Sequence, residues 1–236
     1  DHTEDVNISI ADAGETYLTV GAKKVIQSLN TLMIDAEGAV TAVLKDTAGH
    51  LLSNAADTVL STSKDDAITI DVGTQTVDAA ALTAIKKLAD QTAAAGATKG
   101  GVDKFKGNLT ISAADVATLN GYTNLTTASN DIAFTLNSEI SIGEAAKLVA
   151  KLGSGASVDF AQGIKGNIAQ LAAVDGSEDL HADLTAVLAA DSTVNIKVSD
   201  AIDNANKVKA LNGIRKGVTS GTITAASVSI TATEAT

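Results

Sequence analysis

The octapeptide VNISIADA at Val6–Ala13 returns near the other end of the chain as VNIKVSDA at Val194–Ala201. In both copies apolar and polar residues alternate as in a half-buried strand, and the Asp-Ala pair stands where a helix start favours a carboxylate. Looser copies of this strand-Asp-Ala-helix pattern begin at Ile68, Leu109 and Glu139. Internal repetition of this kind predicts a stacked architecture before any chemistry is considered.

Predicted strands and helices follow one another along the whole chain. The predicted strands are Val6–Ile10, Val40–Leu44, Ile68–Val72, Leu109–Ile111, Ile132–Leu136, Glu139–Ile142, Val158–Phe160, Val194–Val198 and Thr222–Ile230. The predicted helices cover Tyr17–Leu29, Leu51–Val59, Leu82–Ala89, Ala114–Leu119, Ala145–Leu152, Ile164–Leu171 and Leu184–Leu188. One strand with its helix occupies about 20 to 30 residues, which is the length of a solenoid repeat.

These elements predict an α/β repeat protein, an irregular solenoid-like stack of short strands alternating with short helices. The alternative architecture is a mostly-β sandwich or a β-helix with few helices. Residues 1–95 form the first predicted strand-helix region and residues 107–236 the second. The Ala- and Gly-rich stretch between them, residues 96–106, is the predicted loop or boundary, although the whole chain also fits one continuous domain.

Composition supports a core built from many small layers. Hydrophobic residues make up 45% of the 236 residues but aromatic residues only 2%, so Ala, Val, Ile and Leu must supply nearly all of the buried area. Proline is absent, which leaves every backbone N–H available to a hydrogen-bond ladder. Cysteine is also absent, which excludes disulfides, thiolate metal sites and cysteine nucleophiles.

The charge of the chain restricts its partners. A formal net charge of -11 repels phosphate backbones, so we expect no nucleic-acid partner. No segment approaches the roughly 18 to 20 unbroken apolar residues of a membrane span. Asp1 opens on an acidic stretch, and no basic and apolar export signal is visible there.

Several stretches carry a family resemblance. They are Leu44–Leu52, Ile111–Gly121, Val194–Ala201 with Val208 and Leu211, Gly217–Ala225 and Ile230–Ala235. They resemble the degenerate repeats of very large bacterial surface and secreted proteins, including S-layer-like, adhesin-like and haemolysin-type repeat proteins. The resemblance implies a structural or adhesive role outside the cell. It implies no calcium ligand, because the Gly-Gly-x-Gly-x-Asp nonapeptide of the haemolysin-type arrays is missing.

The acidic segment Asp175–Asp183 is the candidate metal site, because oxygens at alternate positions of a turn can converge on calcium. Its candidate ligands are Asp175, Ser177, Glu178, Asp179 and Asp183. The segment departs from an EF-hand loop at Leu180, where glycine is needed, and at Ala186, where the bidentate Glu belongs. First-turn carboxylates of a solvated helix N-terminus explain the same residues, and no cofactor other than calcium is indicated.

No motif indicates catalysis. The three histidines, His2, His50 and His181, are scattered, and no Gly-x-Ser-x-Gly nucleophile turn is present. The glycine-rich stretches near Gly96–Gly101 and Gly153–Gly155 lack the spacing and lysine of a phosphate-binding loop. We therefore expect no enzymatic activity.

The sequence thus predicts a non-enzymatic, self-assembling structural segment of a bacterial extracellular or cell-surface protein, such as a surface layer, filament or adhesin stalk. Its expected partners are identical or tandem copies, with a surface glycan or another surface protein as further candidates. Two alternatives stay open: a virion fibre or decoration subunit, and a carbohydrate-active β-helix protein.

Overall fold

A computed structural model of the chain describes residues 8–10, 18–19, 40–45, 67–83, 102–119, 131–153 and 156–229. Within these ranges the strands are β1 Ile8–Ile10, β2 Leu18–Thr19, β3 Val40–Lys45, β4 Ala67–Thr76, β5 Val102–Ile111, β6 Asp131–Leu136, β7 Ile140–Ser141, β8 Ala156–Asp159, β9 Ile164–Gly166, β10 Ile196–Ile202 and β11 Ile223–Val228. The helices are α1 Ala113–Leu119, α2 Ile142–Val149, α3 Ile168–Leu171, α4 Ala182–Ala190 and α5 Ala205–Gly217. Residues 79–83 are also helical.

The fold is α/β, with two parallel sheets and helices, which confirms the predicted fold class at this level. The first sheet has the order β1-β3-β4-β5-β6-β8, with β2 beside β3, and the second has the order β11-β10-β9-β7. Pairing is parallel from β1 to β3 and from β3 to β4. It is also parallel through β7, β9, β10 and β11. Parallel neighbours need crossover connections, and helices lie in several of them.

The chain divides into two compact units. The first comprises Asp1–Leu109, Tyr122–Ala133 and Gly153–Ala156, and the second comprises Thr110–Gly121, Phe134–Leu152 and Ser157–Thr236. The predicted boundary at residues 96–106 stays a prediction for residues 96–101, which lie outside the described ranges. For Val102–Lys106 the predicted loop is wrong, because these residues begin β5, an inner strand with a hydrogen-bonded neighbour on each side.

Most predicted elements that fall in the described ranges are confirmed, but the helix predicted over Ile164–Leu171 is wrong at Ile164–Gly166, which pair with neighbouring strands as β9. The predicted strand Val40–Leu44 is β3, and the predicted helix Ala114–Leu119 is α1. The predicted helix Tyr17–Leu29 is wrong at Leu18–Thr19, which pair with β3 as a strand, and its remainder lies outside the described residues. Backbone pairing with a neighbouring strand overrides the local helical spacing at that point.

A column of isoleucines runs across the second sheet. Ile140 of β7 lies beside Ile164 of β9, Ile164 beside Ile196 of β10, and Ile196 beside Ile223 of β11. The first three are at most 1% exposed. Helix α2 packs against α4, and α3 packs against α4 and α5. The core of the second unit therefore repeats one layer at intervals of about 24 to 32 residues along the chain.

The aspartate of the repeated octapeptide does not start the helix that follows it. Asp200 lies inside β10, and α5 begins later, with Asn204 as its N-cap accepting a hydrogen bond from Lys207 N. The predicted cap is therefore wrong at this copy, because pairing with β11 continues the strand as far as Ile202. The other full copy, at Asp12, lies outside the described residues.

Candidate functional site

The acidic segment Asp175–Asp183 lies between α3 and α4. Its ends are held together by an antiparallel bridge between Ala172 and Leu180 and by a 2.9 Å bond from Ala173 N to Asp179 O. Gly176, at a φ of 97°, allows the turn to reverse direction, since that backbone conformation is costly for other residues. The segment is thus a closed turn that returns to the start of α4.

The candidate calcium ligands take separate roles in this turn. Asp175 Oδ1 accepts a 2.9 Å bond from Ser177 N. Ser177 Oγ in turn accepts a 3.4 Å bond from Asp179 N. Glu178 binds α5, and Asp183 occupies the first turn of α4, with its N–H donating to His181 Nδ1 at 3.4 Å. No cluster of three or more His, Asp or Glu positioned to hold a metal ion occurs in the described ranges, so calcium binding stays a prediction.

Glu178 fastens the turn to α5. Its carboxylate accepts a 2.6 Å bond from Asn212 Nδ2 and forms an ion pair with Lys216 Nζ. We call Glu178, Asn212 and Lys216 the Glu178 latch. Gly213 lies beneath it, where an added Cβ would stand 2.2 Å from the Glu178 carbonyl oxygen. The turn and the helix can approach this closely because that position has no side chain.

Two carboxylates of the turn are held in their charged form. The Lys216 ammonium, and after it the Asn212 amide, lower the pKa of Glu178 below its usual value. Hydrogen bonds from Ser177 lower the pKa of Asp175. Both shifts come from bonds within the protein. The charge of Glu178 therefore serves the docking of the turn on α5, and that of Asp175 serves bonds within the turn.

A second set of polar groups joins strand-helix segments that are distant in sequence. Each bond runs from a backbone N–H to a side chain about 25 to 32 residues away, and we call these the cross-segment bonds. They are Ala113 N to Ser138 Oγ at 2.7 Å, Phe160 N to Asp191 Oδ2 at 3.0 Å, Ile168 N to Asp200 Oδ1 at 2.8 Å and Thr222 N to Asn195 Oδ1 at 2.8 Å.

The bond to Asp200 explains the aspartate of the repeated octapeptide. Ile168 is the first residue of α3, and its N–H is one of the donors that a helix leaves without an internal partner. The carboxylate of Asp200 also carries a charge that the N-terminus of a helix favours. The repeated aspartate at this copy therefore caps a helix of an earlier segment, and sequence reasoning had no local signal for that pairing.

Charged residues also bridge the strands of the second sheet. Glu139 forms ion pairs with Lys165 of β9 at 3.2 Å and with Lys197 of β10 at 3.4 Å. The hydrogen bond from Lys165, more than that from Lys197, lowers the pKa of Glu139 while partial desolvation opposes them. The two lysines occupy the same register position in neighbouring strands. This row of charges follows the same register as the isoleucine column.

Among the residues that the structure describes, β11 ends the second sheet and has a neighbouring strand on one side only. Ile223 and Ala225 are half-buried, whereas Val228 is 62% exposed. A groove of about 580 Å³, lined by both polar and apolar groups, lies against this strand. Its lining residues are Leu211, Arg215, Val218, Thr219, Gly221, Ile223, Ala225 and Val228. Strand β11 therefore presents the apolar side chain of Val228 to solvent.

The first unit has a polar cleft of about 350 Å³. Its lining residues are Lys45, Asp71, Gly73, Thr74, Lys106, Gly107, Asn108 and Asp131. Asp71 Oδ1 accepts a 2.8 Å bond from Gly73 N, which stabilises a backbone φ of 66° at that glycine. The two lysines and two aspartates of the lining balance in formal charge. The cleft has the chemistry of a polar surface feature.

Comparison with protein-family models, with curated proteins and with solved structures finds no match for this chain. In the described part of the chain, none of the helices combines the length and the apolar character needed to cross a bilayer. The proposed function therefore rests on the geometry of the second unit.

Proposed function

We propose that this chain is a self-assembling structural segment of an extracellular or cell-surface bacterial protein, built as a solenoid-like stack. The supporting observation is the isoleucine column Ile140, Ile164, Ile196 and Ile223, which joins four parallel strands in one register. Such a column buries one layer of each segment on the next, as in repeat proteins. A stack of this kind functions as a structural element that grows by adding further layers.

The polar contacts support the same proposal. The cross-segment bonds and the ion pairs of Glu139 join each segment to a neighbour in the stack. These contacts are directional and fix the register, while the small apolar residues supply the buried area. The protein therefore has a periodic internal interface whose parts are distributed over the whole of the second unit.

The open edge gives the stack a means of growth. Natural sheets protect their edges with lysine, proline or a covering element, because an unpaired strand recruits other strands. Strand β11, with the sequence ITAASV, contains neither a charged residue nor proline. Within the described ranges no strand lies on its outer side, and an edge of this composition favours association.

Sedimentation velocity and electron microscopy of the purified chain test the proposal. We expect the mean sedimentation coefficient to rise with protein concentration and images to show filaments or sheets. A chain that stays monomeric from micromolar to millimolar concentration contradicts the proposal. Turnover of polysaccharide on a broad glycan panel would favour the carbohydrate-active alternative instead.

A further inference from the structure

The groove at β11 and the repeated octapeptide together indicate which partner binds this edge. We propose that β11 of one copy pairs in parallel with β1 of a second copy, so that copies join head to tail. This inference rests on the proposed function, because it specifies the contact through which the stack extends. The occupant of the groove is then a second copy of this chain.

The sequence of β1 matches the strand that β11 already accepts. On its closed side β11 pairs in parallel with β10, with Ile196 beside Ile223 and Val198 beside Ala225. The octapeptide that contains β10 shares five of its eight residues with the octapeptide that contains β1. A strand related in sequence to β1 therefore already pairs with β11 within the chain.

Both strands lie at the ends of their sheets. Among the described residues, β1 closes the order of the first sheet and β11 closes the order of the second. Neither ISI of β1 nor ITAASV of β11 includes a charge or proline that would prevent strand addition. Two sheet edges on one chain, each without a strand on its outer side in the described ranges, allow heterologous, head-to-tail contacts, which form open filaments when the rotation does not close a ring.

The internal register predicts the register between copies. Ile8 corresponds to Ile196 in the repeat, so it should lie beside Ile223 of the other copy. Ser9 corresponds to Lys197, which pairs with Thr224, and Ser9 should therefore lie beside Thr224. Ile8 of the second copy then extends the isoleucine column beyond Ile223, beside the groove that Ile223, Ala225 and Val228 help to line.

Crosslinking tests this register directly, because the chain has no cysteine of its own. A mixture of the single variants Ser9→Cys and Thr224→Cys is oxidised, and covalent dimers are measured. Neighbouring parallel strands bring paired residues to about 4.8 Å, within the range of disulfide Cα separations. The matched control mixes Ser9→Cys with Ser220→Cys, an exposed position in the loop before β11. We expect at least a fivefold higher dimer yield from the Thr224 mixture.

A pair of surface variants tests the groove. Val228→Asp places a charge on the open edge, and Val174→Asp makes the same change at a valine that is 41% exposed in the turn after α3. We expect Val228→Asp to raise the concentration needed for assembly at least tenfold and Val174→Asp to leave it unchanged. Circular dichroism spectra that match the wild type show that both variants fold.

The outcomes separate the two proposals. If the wild-type chain assembles but both cysteine mixtures crosslink equally, or both valine variants assemble alike, pairing of β1 with β11 is overturned and the structural role stands. If the wild-type chain does not assemble at all, both proposals fall. Preferential crosslinking of Ser9→Cys to Thr224→Cys, with loss of assembly in Val228→Asp, supports both.

Discussion

Strands β10 and β11 are neighbours in one sheet, yet their matching positions have very different surroundings. Ile196, Val198 and Ile202 of β10 are at most 1% exposed. Their partners in β11 are Ile223 and Ala225, which are half-buried, and Val228, which is 62% exposed. In the described ranges β10 has a neighbouring strand on each side, whereas β11 has one on one side only. Burial of matching positions in this sheet therefore falls where the neighbouring strand is missing from the described residues.

The largest predicted difference between the two strands is in stability. Ile196→Ala should lower the free energy of unfolding by about 2–5 kcal/mol, because it leaves a cavity in the isoleucine column. Ile223→Ala should cost about 1 kcal/mol or less in dilute protein, since less of that side chain leaves water on folding. Urea denaturation of both variants measures the contrast, and equal losses would contradict it.

Glycine positions give the next prediction, in which two Gly→Ala changes act in opposite directions. Gly213→Ala should destabilise the protein by about 1–3 kcal/mol, because its Cβ meets the Glu178 backbone beneath the latch. Gly143→Ala, in open space on α2, should stabilise it by about 0.5 kcal/mol through helix propensity. Thermal and urea melts of the two variants provide the comparison. Destabilisation by both would show that the close approach at Gly213 is not the cause.

The cap supplied by Asp200 is expected to have a smaller effect. Asp200→Ala should cost about 1–2 kcal/mol and speed amide exchange in α3, because Ile168 N loses its acceptor. Asp200→Asn keeps an acceptor oxygen and should recover most of that loss. The exposed neighbour Ser199, changed to Ala, serves as the control and should stay within about 0.5 kcal/mol of wild type. Slow exchange in α3 of Asp200→Ala would refute the cap.

The smallest predicted effect is the pH dependence of the Glu178 latch. The folded pKa of Glu178 lies below its usual value of 4.5, so its contribution to stability is present above that value and is lost as pH falls through the folded pKa. Comparing the pH dependence of unfolding in wild type and Glu178→Gln isolates this contribution. Lys216→Met should reduce the difference between them, and an unchanged difference would show that Lys216 is not the cause.

Local patterns predicted the elements well where side chains decide the structure. The alternation in Ile132–Leu136 corresponds to β6, whose burial alternates along its length, and the apolar face of Leu184, Val187 and Leu188 corresponds to α4. These features depend on periods of a few residues, which a single sequence displays.

Contacts between residues far apart in the sequence could not be predicted from such local patterns. Asp200 has the composition of a local helix cap, but its partner Ile168 lies 32 residues away. Glu178 resembles a calcium ligand in a cluster of acids, but it binds Lys216, 38 residues further along the chain. Carboxylates suit caps, ion pairs and metal sites equally, so residue type alone does not choose among them. Tertiary contact makes that choice.

Amide hydrogen exchange in β11, followed over a range of protein concentrations, tests the central account most directly. The backbone of an open edge strand exchanges quickly until another strand pairs with it. We predict fast exchange for the free-edge amides of residues 223–228 in dilute protein and strong protection at concentrations where the chain assembles, with β10 slow throughout. Exchange in β11 that does not change with concentration, in protein that visibly assembles, would contradict the account.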